Sequence, residues 1–346
     1  HDLVAAASGD GDPGPGFARL GGRVQWQRQE HGWRLDAGDV VVERGGRAWP
    51  AAGFSVARQH RPGASPSWRA VFSFLRVEDV VAGARMLPLP ESQVGRLKRW
   101  SPSGDVRGAS LRGEGTDAFR VQADLRDVGW AANGDVPGIS GLDGRVFAGA
   151  GEGDIRLTTE DAELRMPTLF RGPLSVADLA GSVHFARSGG SLTVRSDHLR
   201  LRNEDLRADM RLDFRLAPEG SPWLDVQVDF AEGNAGAASR YLPDRLMKDD
   251  VVRWLDRALQ GGRVTEGTML LRGPAEPFPY RGREGVFDVD FHVTDARVAF
   301  APEWPAVTGL DGRVHFSGPS LTVTSSRARM LDSRVESMRV RFDDLE

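Results

Sequence analysis

Cysteine is absent from the 346 residues, which excludes disulfide bonds, thiolate zinc sites and cysteine nucleophiles. Long hydrophobic runs are absent too, because no stretch approaches the roughly 18 apolar residues that a membrane-spanning helix needs. An excess of either charge is also missing, since 45 Lys and Arg face 49 Asp and Glu, a net charge of -4. This near balance gives no electrostatic basis for binding nucleic acid, so we expect no nucleic-acid partner.

The usual catalytic motifs are missing as well. There is no Gly-x-Ser-x-Gly elbow, no His-Glu-x-x-His and no phosphate-binding loop. Gly9, Gly11 and Gly14 have the spacing of a dinucleotide-binding motif. Pro13 and Pro15 interrupt the stretch where that motif requires a helix to begin, so we interpret it as a loop.

Histidines and paired carboxylates suggest no chemistry either. The seven histidines do not cluster at the spacing of metal ligands, and His184 and His315 stand at equivalent polar positions of predicted strands. Asp288 and Asp290 face the same way, but they lie on an alternating strand whose solvent face simply carries charge. We therefore expect no catalytic residue, no metal site and no cofactor, and we interpret the protein as not an enzyme.

Strict alternation of apolar and polar residues predicts strands along most of the chain. The clearest examples are 210–216, 224–230 and 287–293, in which one side is aliphatic or aromatic and the other is almost entirely charged. In the first half, shorter alternating stretches predict separate strands at 33–35 and 40–42. The fold class is therefore mainly β.

Two regions predict short helices. Residues at about 77–100 contain two candidate helices separated by prolines. At about 248–260, Val251, Trp254, Leu255 and Ala258 follow helical spacing, and Gly261-Gly262 indicates the helix end. We expect this second helix to lie on the apolar face of the sheet, with Trp254 and Leu255 as its anchors.

One amphipathic hairpin recurs along the chain and reveals a tandem duplication. Leu-Asp-Gly-Arg-Val-His-Phe at 310–316 resembles the stretches that begin at Leu20, Leu142 and Leu179, and landmarks of the two halves follow the same order about 160 positions apart. We therefore divide the chain into a flexible lead-in at 1–16, a first unit at 17–172, a second at 173–304 and an incomplete third at 305–346.

Few helices are available to cover so many strands. Either two sheets pack face to face, or one mostly antiparallel sheet curls into an elongated groove filled by side chains or by an apolar ligand. Periodicity alone leaves both architectures open.

Several motifs in fixed order resemble the YhdP family of AsmA-like proteins. They include Arg-Tyr-Leu-Pro at 240–243, the helix and Gly-Gly at 254–262, Pro-Phe-Pro-Tyr at 277–280 and Gly-Leu-Asp-Gly at 309–312. The first unit departs from this pattern, since it has Trp100-Ser101-Pro102 where the second has the longer helix. The resemblance covers most of residues 17–320.

This resemblance implies a curled β-groove made of tandem repeats, in the periplasmic part of a Gram-negative protein that an N-terminal helix outside this sequence anchors in the inner membrane. It implies phospholipid as the partner, carried in a continuous hydrophobic groove towards the outer membrane. Because the sequence begins at His1 without Met or a signal-peptide pattern, we expect an excised interior piece. The expected groove lining is Val24, Trp26, Phe54, Val121, Phe185, Val194, Leu201, Leu212, Phe214, Val226, Val228, Phe230, Phe287, Val289, Phe291, Val314, Phe316, Leu321 and Val323.

Two other functions stay open at this stage. A structural or adhesive β-repeat protein of the envelope would have the same alternation with a dry, self-packed interior. A glycan-processing enzyme is the third reading, and it lacks a candidate catalytic residue.

Overall fold

A computed structural model describes residues 2–5, 16–84, 95, 99–115, 118–134 and 136–345. The chain forms two compact units: the first comprises His1–Asn133 and Gly138–Leu157, and the second comprises Gly134–Pro137 and Thr158–Glu346. The boundaries expected at 172 and 304 separate repeats of the sequence, whereas the two units are defined by contacts in space. The repeat boundaries therefore stay a prediction.

Unit 1 is an antiparallel sheet in which most strands pair with the next one along the chain, while the third strand pairs with both the fourth and the fifth. A short helix, α1 (Val77–Ala84), follows the sixth strand. The strands are β1 (Asp2–Ala5), β2 (Phe17–Gln29), β3 (Gly32–Arg44), β4 (Arg47–Ala48), β5 (Ala52–Gln59), β6 (Ser67–Arg76), β7 (Ser103–Glu114), β8 (Ala118–Trp130) and β9 (Gly138–Gly149). The next strand, β10 (Glu152–Arg165), runs through the division between the units.

Unit 2 is also an antiparallel meander. Its strands are β11 (Leu174–Ser188), β12 (Ser191–Arg202), β13 (Arg207–Leu216), β14 (Trp223–Asn234), β15 (Leu259–Pro274), β16 (Val286–Val298), β17 (Val307–Ser317), β18 (Ser320–Met330), β19 (Ser333–Val335) and β20 (Met338–Phe342). Between β14 and β15 lie two 3-10 turns, η1 (Ala235–Arg240) and η2 (Asp244–Leu246), and helix α2 (Asp249–Ala258).

The mainly β, mostly antiparallel fold class with a few short helices is confirmed. Helix α1 lies within the region predicted at 77–100, and α2 lies within the one predicted at 248–260. Most of the second helix predicted before Trp100 lies outside the described residues. Within the lead-in at 1–16, Asp2–Ala5 is a strand that pairs with β2, where we had predicted no regular structure.

Two boundaries predicted from the sequence are wrong. The strands expected at 33–35 and 40–42 are one strand, β3, interrupted by a bulge at which Asp39 has a φ of 50°. Gly261-Gly262 does not end the helix, because α2 ends at Ala258 and β15 begins at once. A Cβ on Gly262, whose φ is 129°, would lie 2.8 Å from the Cα of Ala296, so close approach of the neighbouring strand requires this glycine.

Acidic residues at positive φ recur in the long strands. Asp127 in β8 has a φ of 51°, Glu232 in β14 a φ of 57° and Asp295 in β16 a φ of 52°, and the register shifts beside Asp127 and Asp295. Asp tolerates this left-handed conformation better than most residues because its short side chain bonds locally. A bulge bends its strand and increases the local twist, so the bulges at Asp127 and Asp295 curve the sheet.

A buried carboxylate joins α1 to the sheet of unit 1. Asp79 is 4% exposed, and it accepts hydrogen bonds from Trp49 Nε1 at 2.7 Å and Arg44 Nη1 at 3.2 Å. Trp49 in turn packs edge-on against Phe74, with the ring centroids 5.4 Å apart. A buried charge persists only when it is paired in this way.

Candidate functional site

One row of apolar side chains crosses almost all of unit 2. In an antiparallel sheet, directly opposite residues project from the same face, so the strand register shows which side chains are neighbours. We name the following set the long row, in strand order: Leu199, Met210, Val228, Met269, Val289, Phe316, Leu321 and Phe342.

Three further rows lie on the same face and run parallel to the long row. The rows together are named the apolar face of unit 2, and they contain every lining residue that we predicted in this unit. The second row is Leu201, Ala208, Phe230, Gly267, Phe291, Val314, Val323 and Val340; the third is Leu212, Val226, Leu271 and Phe287; the fourth is Phe185, Val194, Phe214 and Leu224.

The apolar face of unit 2 is covered at one end and open to solvent in its middle. A tightly packed cluster lies at the α2 end of the strands and includes Val307, which is 0% exposed, and Leu310, which is 1% exposed. In the middle of the face, Val228, Val289 and Phe316 are only half-buried. Side chains in a closed sandwich core would be fully buried, so this part of the sheet has the exposure of an open surface.

The opposite face of the same strands is polar and ion-paired. Arg313 Nε donates to Asp290 Oδ1 at 2.7 Å, and His315 Nε2 lies 2.9 Å from Asp288 Oδ2. The hydrogen bond from Arg215 holds the pKa of Asp213 below its ordinary value. The charged face is therefore suited to contact with water, whereas the apolar face of unit 2 is suited to contact with apolar groups.

Unit 1 has the same two-sided organisation. Trp26 and Val121 belong to one row, and Val24 and Phe54 belong to the neighbouring one. Phe54 and Phe72, opposite each other, have ring centroids 5.8 Å apart. The first row consists of Trp26, Leu35, Val56, Ala70, Leu111, Val121 and Ala148, and the second of Val24, Ala37, Phe54, Phe72 and Ala109. All four residues predicted in this unit thus share one face, on which Trp26 is 61% exposed.

Helix α2 packs on the apolar face of unit 2, as predicted. The rings of Trp254 and Phe342 have centroids 5.6 Å apart, and Trp254 Nε1 donates to the carbonyl oxygen of Phe300 at 2.9 Å. Leu255 is 4% exposed and Ala258 is 0% exposed. Trp254 and Leu255 are therefore the side chains through which the helix is anchored.

A two-pronged ion pair holds the other side of α2. The Nη1 and Nη2 atoms of Arg171 donate to Oδ2 and Oδ1 of Asp256 at 2.8 and 3.1 Å, and Arg171 Nε lies 3.3 Å from Asp244. The hydrogen bond to Asp256 raises the pKa of Arg171. Arg171 precedes β11, so this contact ties the segment before the first strand of the meander to the helix.

These contacts show that the sheet of unit 2 is curled. Eight strand pairings separate β11 from β20. At about 4.8 Å each, a flat sheet would place the two strands ~38 Å apart. Arg171, three residues before β11, and Phe342 in β20 nevertheless contact a single helix, which is only about 10–12 Å across. The apolar face of unit 2 is therefore concave.

An irregular loop covers the end of the strands opposite to α2. The ring of Phe278 packs on that of Phe287, at the end of the third row, with centroids 5.0 Å apart. Tyr280 is buried and donates its hydroxyl to the carbonyl oxygen of Pro274 at 2.6 Å, and burial raises its pKa. A Cβ on Gly273 would lie 3.0 Å from the Tyr280 ring, so a glycine lets the loop fold this closely.

Sequence reasoning missed part of the apolar face. Met210, which alternates in phase with Leu212 and Phe214, could have been found from that pattern. Met269, Leu270 and Leu271 form a continuous apolar run, in which alternation does not show which residues point inward. The register places Met269 and Leu271 on the apolar face and Leu270 on the other.

The residues described contain no group of three side chains arranged to hold a metal ion. Among the same residues, no helix combines the length and apolar character needed to cross a membrane. What the two units have instead is a sheet with one apolar and one charged side. A family model described as YhdP protein matches residues 6–346.

The chain belongs to the YhdP family. A curated relative, the intermembrane phospholipid transporter YhdP of Escherichia coli (strain K12), is 24% identical over 327 residues. That alignment covers 92% of this chain but 26% of the relative, so the chain spans about a quarter of the relative's length. No solved structure matches the chain.

Proposed function

We propose that this chain is a segment of a lipid conduit that shields phospholipid acyl chains on its apolar faces between the inner and outer membranes of a Gram-negative cell. The long row is the observation that supports the proposal, because all of its members are apolar and most of them are half-buried. The Escherichia coli relative is named an intermembrane phospholipid transporter, which supports phospholipid as the cargo.

The energetics of lipid transfer favour a surface of this kind. Each methylene that enters water costs about 0.8 kcal/mol, so exposing a tail of roughly sixteen carbons costs on the order of 10 kcal/mol. Transfer from a bilayer to an apolar face is close to neutral, because both environments exclude water. No bond is made or broken in this transfer, and the proposed activity is therefore not enzymatic.

The dimensions of the long row suit a lipid. Its eight residues span seven strand intervals, or ~34 Å at about 4.8 Å each. The tails of one bilayer leaflet occupy about half of a ~30 Å hydrocarbon core. A lipid can therefore rest its tails entirely on this face while its headgroup stays in solvent at the rim.

The proposed location is the periplasm, with the membrane contacts made by segments outside the aligned quarter of the relative. A polar, ion-paired outer face, as on Asp290 and Arg313, suits a protein surrounded by water along its length. We infer no specific protein partner at either membrane.

A self-packed structural protein is the alternative that the fold suggests, because the cluster around Val307 and Leu310 is a dry core. That cluster lies at one end of the strands, and the half-buried middle of the long row favours the conduit. The two functions differ in one measurable property, the capacity to bind phospholipid.

Native mass spectrometry of the chain purified without detergent and incubated with phosphatidylethanolamine and phosphatidylglycerol vesicles tests the proposal. Two variants on adjacent residues of β14 introduce the same charge on opposite faces: Val228→Asp on the long row and Gln227→Asp on the polar face. The wild type and Gln227→Asp should carry phospholipid, and Val228→Asp should carry several-fold less.

Circular dichroism of both variants would confirm that each keeps its β structure. A wild-type chain that carries no phospholipid would overturn the conduit and favour the self-packed alternative. Equal loss of lipid in both folded variants would show that charge anywhere, rather than the apolar face of unit 2, determines binding.

A further inference from the structure

Helix α2 occupies surface that an acyl chain would use. Trp254 packs against Phe342, the last residue of the long row, which is still 37% exposed, and Leu255 and Ala258 are buried as α2 packs on the apolar face. Lipid moving along the long row towards β20 would therefore meet the helix.

The outer side of α2 is held by a contact that can break. The side chains of Arg171 and Asp256 are 38% and 32% exposed, so water competes for both members of the ion pair. Exposed pairs of this kind are individually weak, even with the two-pronged geometry seen here. The ion pair therefore holds α2 in its observed position but is weak enough to break.

The connection between α2 and β15 is suited to a pivot. The register between β15 and β16 shifts on both sides of Gly261, so regular pairing is interrupted where the helix joins the sheet. Among the described residues, no atom lies within 4 Å of the position that a Cβ on Gly261 would take. Glycine adopts a wider range of backbone conformations than any other residue, so the chain can bend at this position, while the carbonyl oxygen of Ala258 accepts one hydrogen bond from the Ala299 amide at 2.9 Å.

We propose that α2 is a gate on the apolar face of unit 2, and that the Arg171–Asp256 ion pair is its latch. With the latch closed, Trp254 packs on the end of the long row and obstructs it; with the latch open, the helix swings about Gly261 and the row is free for acyl chains. This inference rests on the proposed lipid-carrying function and adds regulation to it.

Because the chain has no native cysteine, the gate can be locked chemically. The double variant Arg171→Cys/Asp256→Cys is bridged with a flexible bis-methanethiosulfonate reagent, which reductant removes. Loading is followed with phosphatidylethanolamine and phosphatidylglycerol vesicles that contain a trace of phospholipid labelled on one acyl chain. The bridged chain should load at least fivefold more slowly than the same chain after reduction, and Arg171→Gln should load faster than wild type.

A matched bridge on the polar face is the control. Thr322→Cys/Arg341→Cys joins directly opposite residues of β18 and β20 on the side away from α2, and bridging it should leave loading unchanged. Equal loading of the Arg171→Cys/Asp256→Cys chain before and after reduction would overturn the gate and leave the conduit intact. No loading in any state, wild type included, would overturn both.

Discussion

Phe230 and Phe291 touch across Gly267, with ring centroids 6.2 Å apart. The three residues are neighbours in the second row, and a Cβ on Gly267 would lie 2.4 Å from the Phe230 ring and 2.6 Å from Phe291 Cβ. Two aromatic side chains from the flanking strands therefore fill the space left by the glycine between them. The apolar surface is continuous here only because β15 contributes no side chain.

We predict that Gly267→Ala destabilises the chain by about 2 kcal/mol, because the added methyl must displace a packed ring. Chemical denaturation would measure the change. Gly38→Ala is the matched control: Gly38 also lies in a strand, but no atom of the part of the chain that the structure describes lies within 4 Å of its Cβ position, so the expected change is within about 0.5 kcal/mol. Similar effects of the two substitutions would show that packing over Gly267 is loose.

The buried carboxylate of unit 1 gives a second prediction. Asp79→Asn should cost about 1–3 kcal/mol, because the buried bonds from Trp49 and Arg44 lose their charged acceptor. In a double-mutant cycle with Trp49→Phe, the coupling free energy should be about 1 kcal/mol. Asp332→Asn, at an exposed position, is the control and should change little. A coupling energy of zero would mean that Asp79 and Trp49 act independently.

The two tyrosines predict an unusual alkaline titration. Burial, together with the hydrogen bond that its hydroxyl donates to Asp205, raises the pKa of Tyr241 to about 12, and burial raises that of Tyr280. The folded state therefore favours the neutral phenols, so the resulting stability is present below the ordinary pKa of 10.0 and is lost as pH rises through the folded values.

Ultraviolet absorbance of phenolate measures this titration directly. Tyr241→Phe should remove the later-titrating part of the signal, and the chain unfolded in guanidinium should titrate near pH 10, the ordinary value. A folded chain whose full phenolate signal appears with a midpoint near pH 10 would contradict the buried positions of both rings.

Much of the fold follows from local patterns. Alternation at 224–230 identifies both the strand and its apolar side, because a period of two assigns each residue to one face. Helix α2 follows equally from Trp254, Leu255 and Ala258 at helical spacing. The predicted lining residues consequently fall on one face in each unit, although their contact with lipid remains a prediction.

Other features depend on contacts that no local pattern contains. Asp39 and Asp295 look like ordinary solvent-facing residues, yet each adopts a positive φ and bends its strand. Arg171 and Asp256 are 85 positions apart, and nothing in the sequence distinguishes these two charged residues from the many others as partners in an ion pair. Curvature, and with it the concave apolar face, arises from such bulges and long-range contacts.

A photo-crosslinking scan along β14 tests the conduit most directly. A benzophenone side chain is placed at each position from Leu224 to Phe230, and the chain is irradiated with phospholipid vesicles. The conduit predicts lipid adducts at Leu224, Val226, Val228 and Phe230 and none at Asp225, Gln227 and Asp229, because successive residues lie on opposite faces. Adducts without alternation, or none at any position, would contradict a lipid-carrying apolar face.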